Sequence, residues 1–119
     1  VQSAFILIVE DERPIALLLK TLVDKMGHEA VIAADGAAAI VEATKRKPDL
    51  ILLDLILPIM SGWEFLKAMP GDPNLRDVPV VLVTTVERMD QELQEKYPVV
   101  PKPFSPETVR QAVETALGA

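Results

Sequence analysis

The stretch Leu50-Ile51-Leu52-Leu53-Asp54-Leu55-Ile56-Leu57-Pro58 decides the fold. Pro48-Asp49 break the chain just before it. The four apolar residues 50–53 then read as a strand buried on both faces, the habit of parallel sheets. Asp54 places a carboxylate at the C-terminal end of that strand, where open α/β sheets hold their ligands.

Working outward, Phe5-Ile6-Leu7-Ile8-Val9 is a second fully buried strand, and residues 30–33 form a shorter one. Residues 78–83, interrupted by Pro79, and the brief pair Val99-Val100 supply two more. Helical patterns alternate with them. Pro14 stands in the first turn of a helix, where a missing N–H costs nothing. Ile15, Leu18, Leu19, Leu22, Val23 and Met26 then recur at three- and four-residue steps and form one apolar face, until Gly27 stops the helix. Asp35-Gly36 mark a turn before an alanine-rich helix that runs to about Arg46. Lys45-Arg46-Lys47 suit the negative end of that helix. Ser61-Gly62 open a helix whose Trp63, Phe65, Leu66 and Met69 read as core. Pro70 closes it, and residues 71–77 form a polar loop. Residues 86–97 are weakly amphipathic, with Met89 and Leu93 as anchors. Ser105 caps the last helix with Pro106 at its first position. Val109, Ala112, Val113, Ala116 and Leu117 share one face of it. Five strands and five helices in strict alternation predict an α/β doubly wound parallel sheet with helices on both faces.

Composition bounds what such a domain can do. At 119 residues the chain fits one domain with a real core. It has no cysteine, so disulfides and thiolate metal sites are excluded. The single histidine, His28, excludes a multi-histidine cluster and reads as a surface residue beyond Gly27. A net charge of −6 is unfavourable for binding nucleic acid, which rests on neutralising phosphates. No apolar run approaches a membrane span. The start of the sequence carries no signal-peptide pattern, so the expected compartment is the cytoplasm. No repeat, linker or low-complexity segment divides residues 1–119, so a single domain without an output domain is expected.

Chemistry concentrates at the predicted strand ends. Glu10, Asp11 and Glu12 follow the first strand, Asp54 the third, Thr84 the fourth and Lys102 the fifth. Carboxylates crowded there need a cation, and oxygen ligands without histidine favour Mg²⁺ or Mn²⁺. Read alone, the acids after the first strand could equally complement a helix dipole. Asp54 could be a metal ligand only, or a nucleophile that forms an acyl phosphate. Lys102 would then offset charge on the phosphoryl oxygens. Thr84 would donate a hydroxyl hydrogen bond, with Thr85 as its substitute. Pro101 and Pro103 restrict where the Lys102 amine can point, the more so if the Lys102–Pro103 bond is cis. Met26, Met60, Met69 and Met89 read as core or loop-edge residues.

This joint order resembles the receiver domains of two-component response regulators over essentially all 119 residues. The resemblance is carried by Ile8-Val9-Glu10-Asp11-Glu12, Leu53-Asp54 with Pro58 and Gly62, Val83-Thr84-Thr85 and Lys102-Pro103-Phe104. It implies a flavodoxin-like three-layer sandwich. It implies Mg²⁺ held by Glu10, Asp11, Asp54 and the backbone carbonyl of Ile56, with Glu12 not normally a ligand. It makes Asp54 the phosphoacceptor, Thr84 the switch hydroxyl and Lys102 the phosphate-contacting lysine, followed by a cis peptide bond. A histidine kinase or phosphotransfer protein would donate the phosphoryl group, and a downstream protein or output domain would read the result. The domain would not be a conventional turnover enzyme.

Two features depart from the family pattern. Val99 stands where an aromatic residue is common, with Tyr97 two positions earlier. The segment from Thr84 to Lys102 is short by about one helical turn. Both touch the face formed by helix four, strand five and helix five, through which family members dimerise or dock outputs, so a homodimer is also among the expectations. They motivate an alternative reading as a phosphorylation-independent interaction domain. A hydrolase of the aspartyl-phosphate type would need an acid at position 56, where Ile56 stands. A flavin phosphate would meet the carboxylates after the first strand.

Overall fold

The computed structural model describes residues 3–85, 87 and 89–118. Among these, five strands alternate with five helices. They are β1 (Phe5–Val9), α1 (Arg13–Lys25), β2 (Glu29–Ala33), α2 (Gly36–Lys45), β3 (Leu50–Leu53), α3 (Gly62–Ala68), β4 (Val80–Thr84), α4 (Gln91–Lys96), β5 (Val99–Pro101) and α5 (Pro106–Ala116). All neighbouring strands are parallel, in the order β2-β1-β3-β4-β5. The chain therefore steps from β1 to one side, then crosses back to lay β3 on the other. The crevice opened at that reversal lies at the C-terminal ends of β1 and β3.

Alternation along the strands builds two cores. Leu7, Val9, Ile51, Leu53 and Leu82 face one way and meet Ala39, Ala43, Phe65 and Met69 of α2, α3 and the turn after α3. Ile6, Ile8, Leu50, Leu52, Val81 and Val83 face the other way and meet Leu19, Val23, Val109 and Val113 of α1 and α5. Every residue of β1, β3 and β4 is buried, which is why these runs carry no polar alternation.

Helix starts follow their caps. The Asp35 side chain accepts from the Ala38 N–H, and Ser105 from Thr108. Ser61 and Glu64 form a reciprocal capping box at α3. At its other end α1 stops where Gly27 adopts φ 87°. Arg46 ends α2, pairs with Glu29 at 2.9 Å and lies 4.3 Å over the Phe5 ring.

Several expectations need correction. Of the expected apolar face of α1 only Leu18 departs, being 46 % exposed; Leu19 and Val23 are buried together with Ala16, and Ile15, Leu22 and Met26 pack partly buried against the same core. Residues 16, 19 and 23 share one side of the helix, and Leu18 is rotated off it. The helix does stop just before Pro70, at Ala68, but Met69 lies outside it and, with Pro70, in a 3-10 turn at Met69–Gly71. The polar loop that follows still buries Leu75 completely. β4 begins at Val80, because Pro79 has no N–H for the ladder.

The predicted helix 86–97 is the six-residue α4; its expected start, Val86, lies outside the described residues. The Asp90 side chain accepts from the Leu93 N–H at 2.9 Å and sets the later start. His28 is half-buried rather than a free surface residue, because its Nδ1 accepts the Ala4 N–H at 3.0 Å.

Gly62 joins the fold to the site. Its N–H donates to the Leu55 carbonyl at 2.9 Å. A Cβ there would press on the Asp54 carbonyl oxygen and come within 2.6 Å of Leu55 Cα. Both neighbours are backbone and cannot rotate away. Gly62→Ala is therefore expected to destabilise the domain by about 1–3 kcal/mol in urea unfolding. An unchanged midpoint would mean that α3 slides away freely.

Candidate functional site

The register of the sheet assembles the site. Val9 pairs with Leu53, so the residues that follow, Glu10 and Asp54, emerge side by side. The Asp54 N–H donates to the Val9 carbonyl at 3.0 Å, and the Glu10 N–H to Ala33 at 3.0 Å. Thr84 ends β4 opposite Pro101, and the Lys102 N–H donates to the Thr84 carbonyl at 2.9 Å. Four separate strands thus deliver Glu10, Asp54, Thr84 and Lys102 to one edge. The Lys102–Pro103 bond is cis.

The side chains close into one network. Lys102 Nζ donates to Glu10 Oε1 at 2.6 Å and to Asp54 Oδ2 at 3.0 Å. Thr84 Oγ1 donates to Asp54 Oδ1 at 3.0 Å, and the Ile56 N–H reaches the same oxygen at 3.3 Å. Thr85 lines the pocket without being the donor to Asp54. Glu10 and Asp54 are only 2 % and 6 % exposed, so this network is their main compensation for lost water. Among the described residues no buried side-chain polar atom lacks a partner. Asp11 is exposed, yet it offers an oxygen within 4.8 Å of oxygens from Glu10 and Asp54. Three hard oxygen donors without nitrogen or sulfur fit Mg²⁺.

Sequence reading missed the role of Glu12. Its N–H donates to Glu10 Oε2 at 3.2 Å and orients that carboxylate, while its own carboxylate lies 3.7 Å from Lys102 Nζ. A backbone donor of this kind leaves no mark in residue type. The pocket bounded by Asp11, Glu12, Asp54, Ile56, Thr84, Thr85 and Lys102 holds about 220 Å³. That is below the 300–1,000 Å³ of sites for drug-sized ligands and suits a phosphoryl group beside a small cation.

Burial pushes the Glu10 carboxyl up to about 7; the Lys102 ammonium opposes this and the neighbouring Asp54 charge adds to it. Burial lowers the Lys102 ammonium, but its hydrogen bonds to Glu10 and Asp54 and their charges outweigh this and raise it. In the metal-free protein the native state therefore holds the Glu10 proton more tightly than the unfolded chain does. The resulting stability is full below the ordinary Glu value of 4.5 and is lost as pH rises through about 7. A falling urea midpoint between these limits in EDTA is expected. Were Glu10 a ligand of Mg²⁺, the ion would have to displace the same proton, and its apparent affinity would then rise with pH by up to about tenfold per unit below pH 7. Calorimetric Mg²⁺ titrations at several pH values would show this; a flat profile would place Glu10 outside the metal site.

Comparison with known proteins agrees with this geometry. The profile of the response regulator receiver domain family matches residues 6–114. Sporulation initiation phosphotransferase F of Bacillus subtilis is 38 % identical over 117 residues, covering 94 % of this chain and 92 % of that protein. The phosphate regulon transcriptional regulatory protein PhoB of Pseudomonas aeruginosa is 36 % identical over 107 residues. There the match covers 85 % of this chain and 46 % of that protein, so the chain spans about half of that relative.

Among solved structures, the chemotaxis response regulator CheY4 of Vibrio cholerae superposes with a TM-score of 0.87 at 29 % identity. That match covers 98 % of this chain and 100 % of the other. The receiver domain of a Pseudomonas aeruginosa sensor histidine kinase, solved with magnesium coordinated in its active-site cleft, gives 0.88 at 25 % identity. It covers 99 % of this chain and 100 % of that one.

Proposed function

Because the chain belongs to the response regulator receiver domain family, we propose that Asp54 accepts a phosphoryl group from a protein phosphohistidine and that Lys102, Thr84 and a bound Mg²⁺ assist the transfer. The carrying observation is the single network in which one ammonium bridges Glu10 and Asp54 while Thr84 holds the other Asp54 oxygen. An Asp54 oxygen attacks phosphorus, and the P–N bond breaks. Its electron pair returns to the imidazole, which leaves. The product is an aspartyl phosphate, a mixed anhydride. Reset follows when water attacks phosphorus and the acyl oxygen leaves, giving inorganic phosphate and the free carboxylate.

Lys102 already sits 3.0 Å from Asp54 Oδ2, so its charge is in place for a phosphoryl oxygen. The Thr84 hydroxyl can exchange its carboxylate acceptor for a phosphoryl one. Glu10, Asp11, Asp54 and the Ile56 backbone carbonyl would hold Mg²⁺, which supplies positive charge against the phosphoryl oxygens. The donor would be a histidine kinase or phosphotransfer protein, and the setting the cytoplasm. Among the described residues no helix is long and apolar enough to cross a membrane.

Incubation with Mg²⁺ and acetyl phosphate is expected to add about 80 Da by intact mass, the mass of one phosphoryl group on Asp54. The adduct should vanish in Asp54→Ala and in EDTA. Absence of an adduct in the folded wild type, with trapping controls for fast hydrolysis, would overturn the proposal.

Ile56 borders the pocket with an apolar side chain 44 % exposed, which limits the approach of water. Ile56→Asn is therefore expected to shorten the aspartyl-phosphate lifetime by several-fold, on the order of 1 kcal/mol in the barrier. An unchanged decay rate would remove Ile56 from that role.

A further inference from the structure

The edge of the sheet opposite Asp54 holds a larger cavity. Ala4, His28, Asp49 and Pro79 stand just before β1, β2, β3 and β4, and all of them line a space of about 880 Å³ at the N-terminal ends of the strands. The extended chain from Ala4 to Glu10 spans roughly 20 Å, so this space is separate from the pocket beside Asp54. The last turns of α1 and α5 flank it, with Lys25 and Met26 from one and Glu114 and Leu117 from the other. Its volume falls within the 300–1,000 Å³ of sites for organic ligands, where the pocket beside Asp54 falls below that range.

What such a space can bind depends on which of its polar groups are already engaged. Asp49 Oδ2 accepts the Phe5 N–H at 2.7 Å. Glu114 Oε1 accepts from Arg110 at 2.7 Å, and Arg110 is held by Glu107 as well. His28 Nδ1 accepts the Ala4 N–H at 3.0 Å. With Nδ1 an acceptor, the proton of the neutral ring is on Nε2, which is a donor. Lys25 enters no salt bridge among the described residues. Its charge suits the negative end of α1, but that position uses up none of its donors. The acids of the cavity have partners inside the protein, and the groups left over are an ammonium and an imidazole N–H. Ala4, Met26, Pro79 and Leu117 add apolar wall.

We propose that this cavity is a binding site for a small amphipathic anion, a single acidic head group on an apolar body. The head pairs with Lys25 and accepts from His28 Nε2, and the body lies along Met26, Pro79 and Leu117. Burial of the body supplies most of the affinity, and the two donors fix the orientation. The inference does not depend on the role of Asp54.

Octanoate tests the assignment against octylamine and octanol, which carry the same chain with a cationic and a neutral head. Each is titrated into isotopically labelled protein, below its self-association, and followed through the amide resonances by NMR. Octanoate is expected to give saturable shifts at Met26, His28 and Leu117 and to bind about fivefold tighter than either analogue. Lys25→Met keeps the apolar stem and removes the charge. It should weaken octanoate about fivefold and leave octanol unchanged, and Lys25→Arg should retain octanoate binding.

Equal or tighter binding of octylamine would overturn the acidic head group. Octanoate affinity unchanged in Lys25→Met would overturn the pairing with Lys25. Absence of saturable shifts with all of the amphiphiles would overturn the site, and so would octanoate shifts centred on Glu10, Asp54 and Thr84 instead.

Discussion

The structure turns on one ammonium held between two buried carboxylates. Glu10 and Asp54 are nearly sealed from solvent and sit at adjacent strand ends. Two negative charges so placed repel each other and have lost their water. Lys102 meets both, and the carboxyl of Glu10 is still pushed up to about 7. Burial is the main cause of that rise, with the Asp54 charge adding to it, and a divalent cation held there would oppose both.

The fold exists around that arrangement in a direct sense. β1 and β3 are neighbours only because the chain reverses after β2, and their shared register brings Glu10 and Asp54 together. Lys102 arrives from the edge strand β5, whose backbone is tied to Thr84 of β4. Thr84 in turn binds Asp54. Asp54 is thereby tied to the end of β4. Further along the chain α4 is a six-residue helix with no buried residue of its own, so few anchors hold it to the domain.

The β3–α3 connection obeys a different logic. Gly62 is required there by close backbone contact and Gly36 by the Met60 side chain and carbonyl, so both serve packing. Ile59 sits between these constraints and serves neither core.

By itself the sequence determined the alternation of elements, since apolar runs such as 5–9 and 50–53 are explained by burial on both faces. It determined the cap at Ser105 and marked the helix starts at Asp35-Gly36 and Ser61-Gly62, because these side chains act on N–H groups within a few residues. It also determined the residue types at the strand ends, and hence the chemistry to expect of Glu10, Asp54, Thr84 and Lys102. Tertiary structure decided what depends on partners distant in the chain. The choice of Thr84 over Thr85, the half-burial of His28 and the exposure of Leu18 are set by packing across elements. So are the bridge from Lys102 to Glu10 across 92 positions and the orienting N–H of Glu12. The left-handed turn at Ile59 belongs to this second group, because backbone clamps from Gly36 and Gly62 impose it and residue type alone would argue against it.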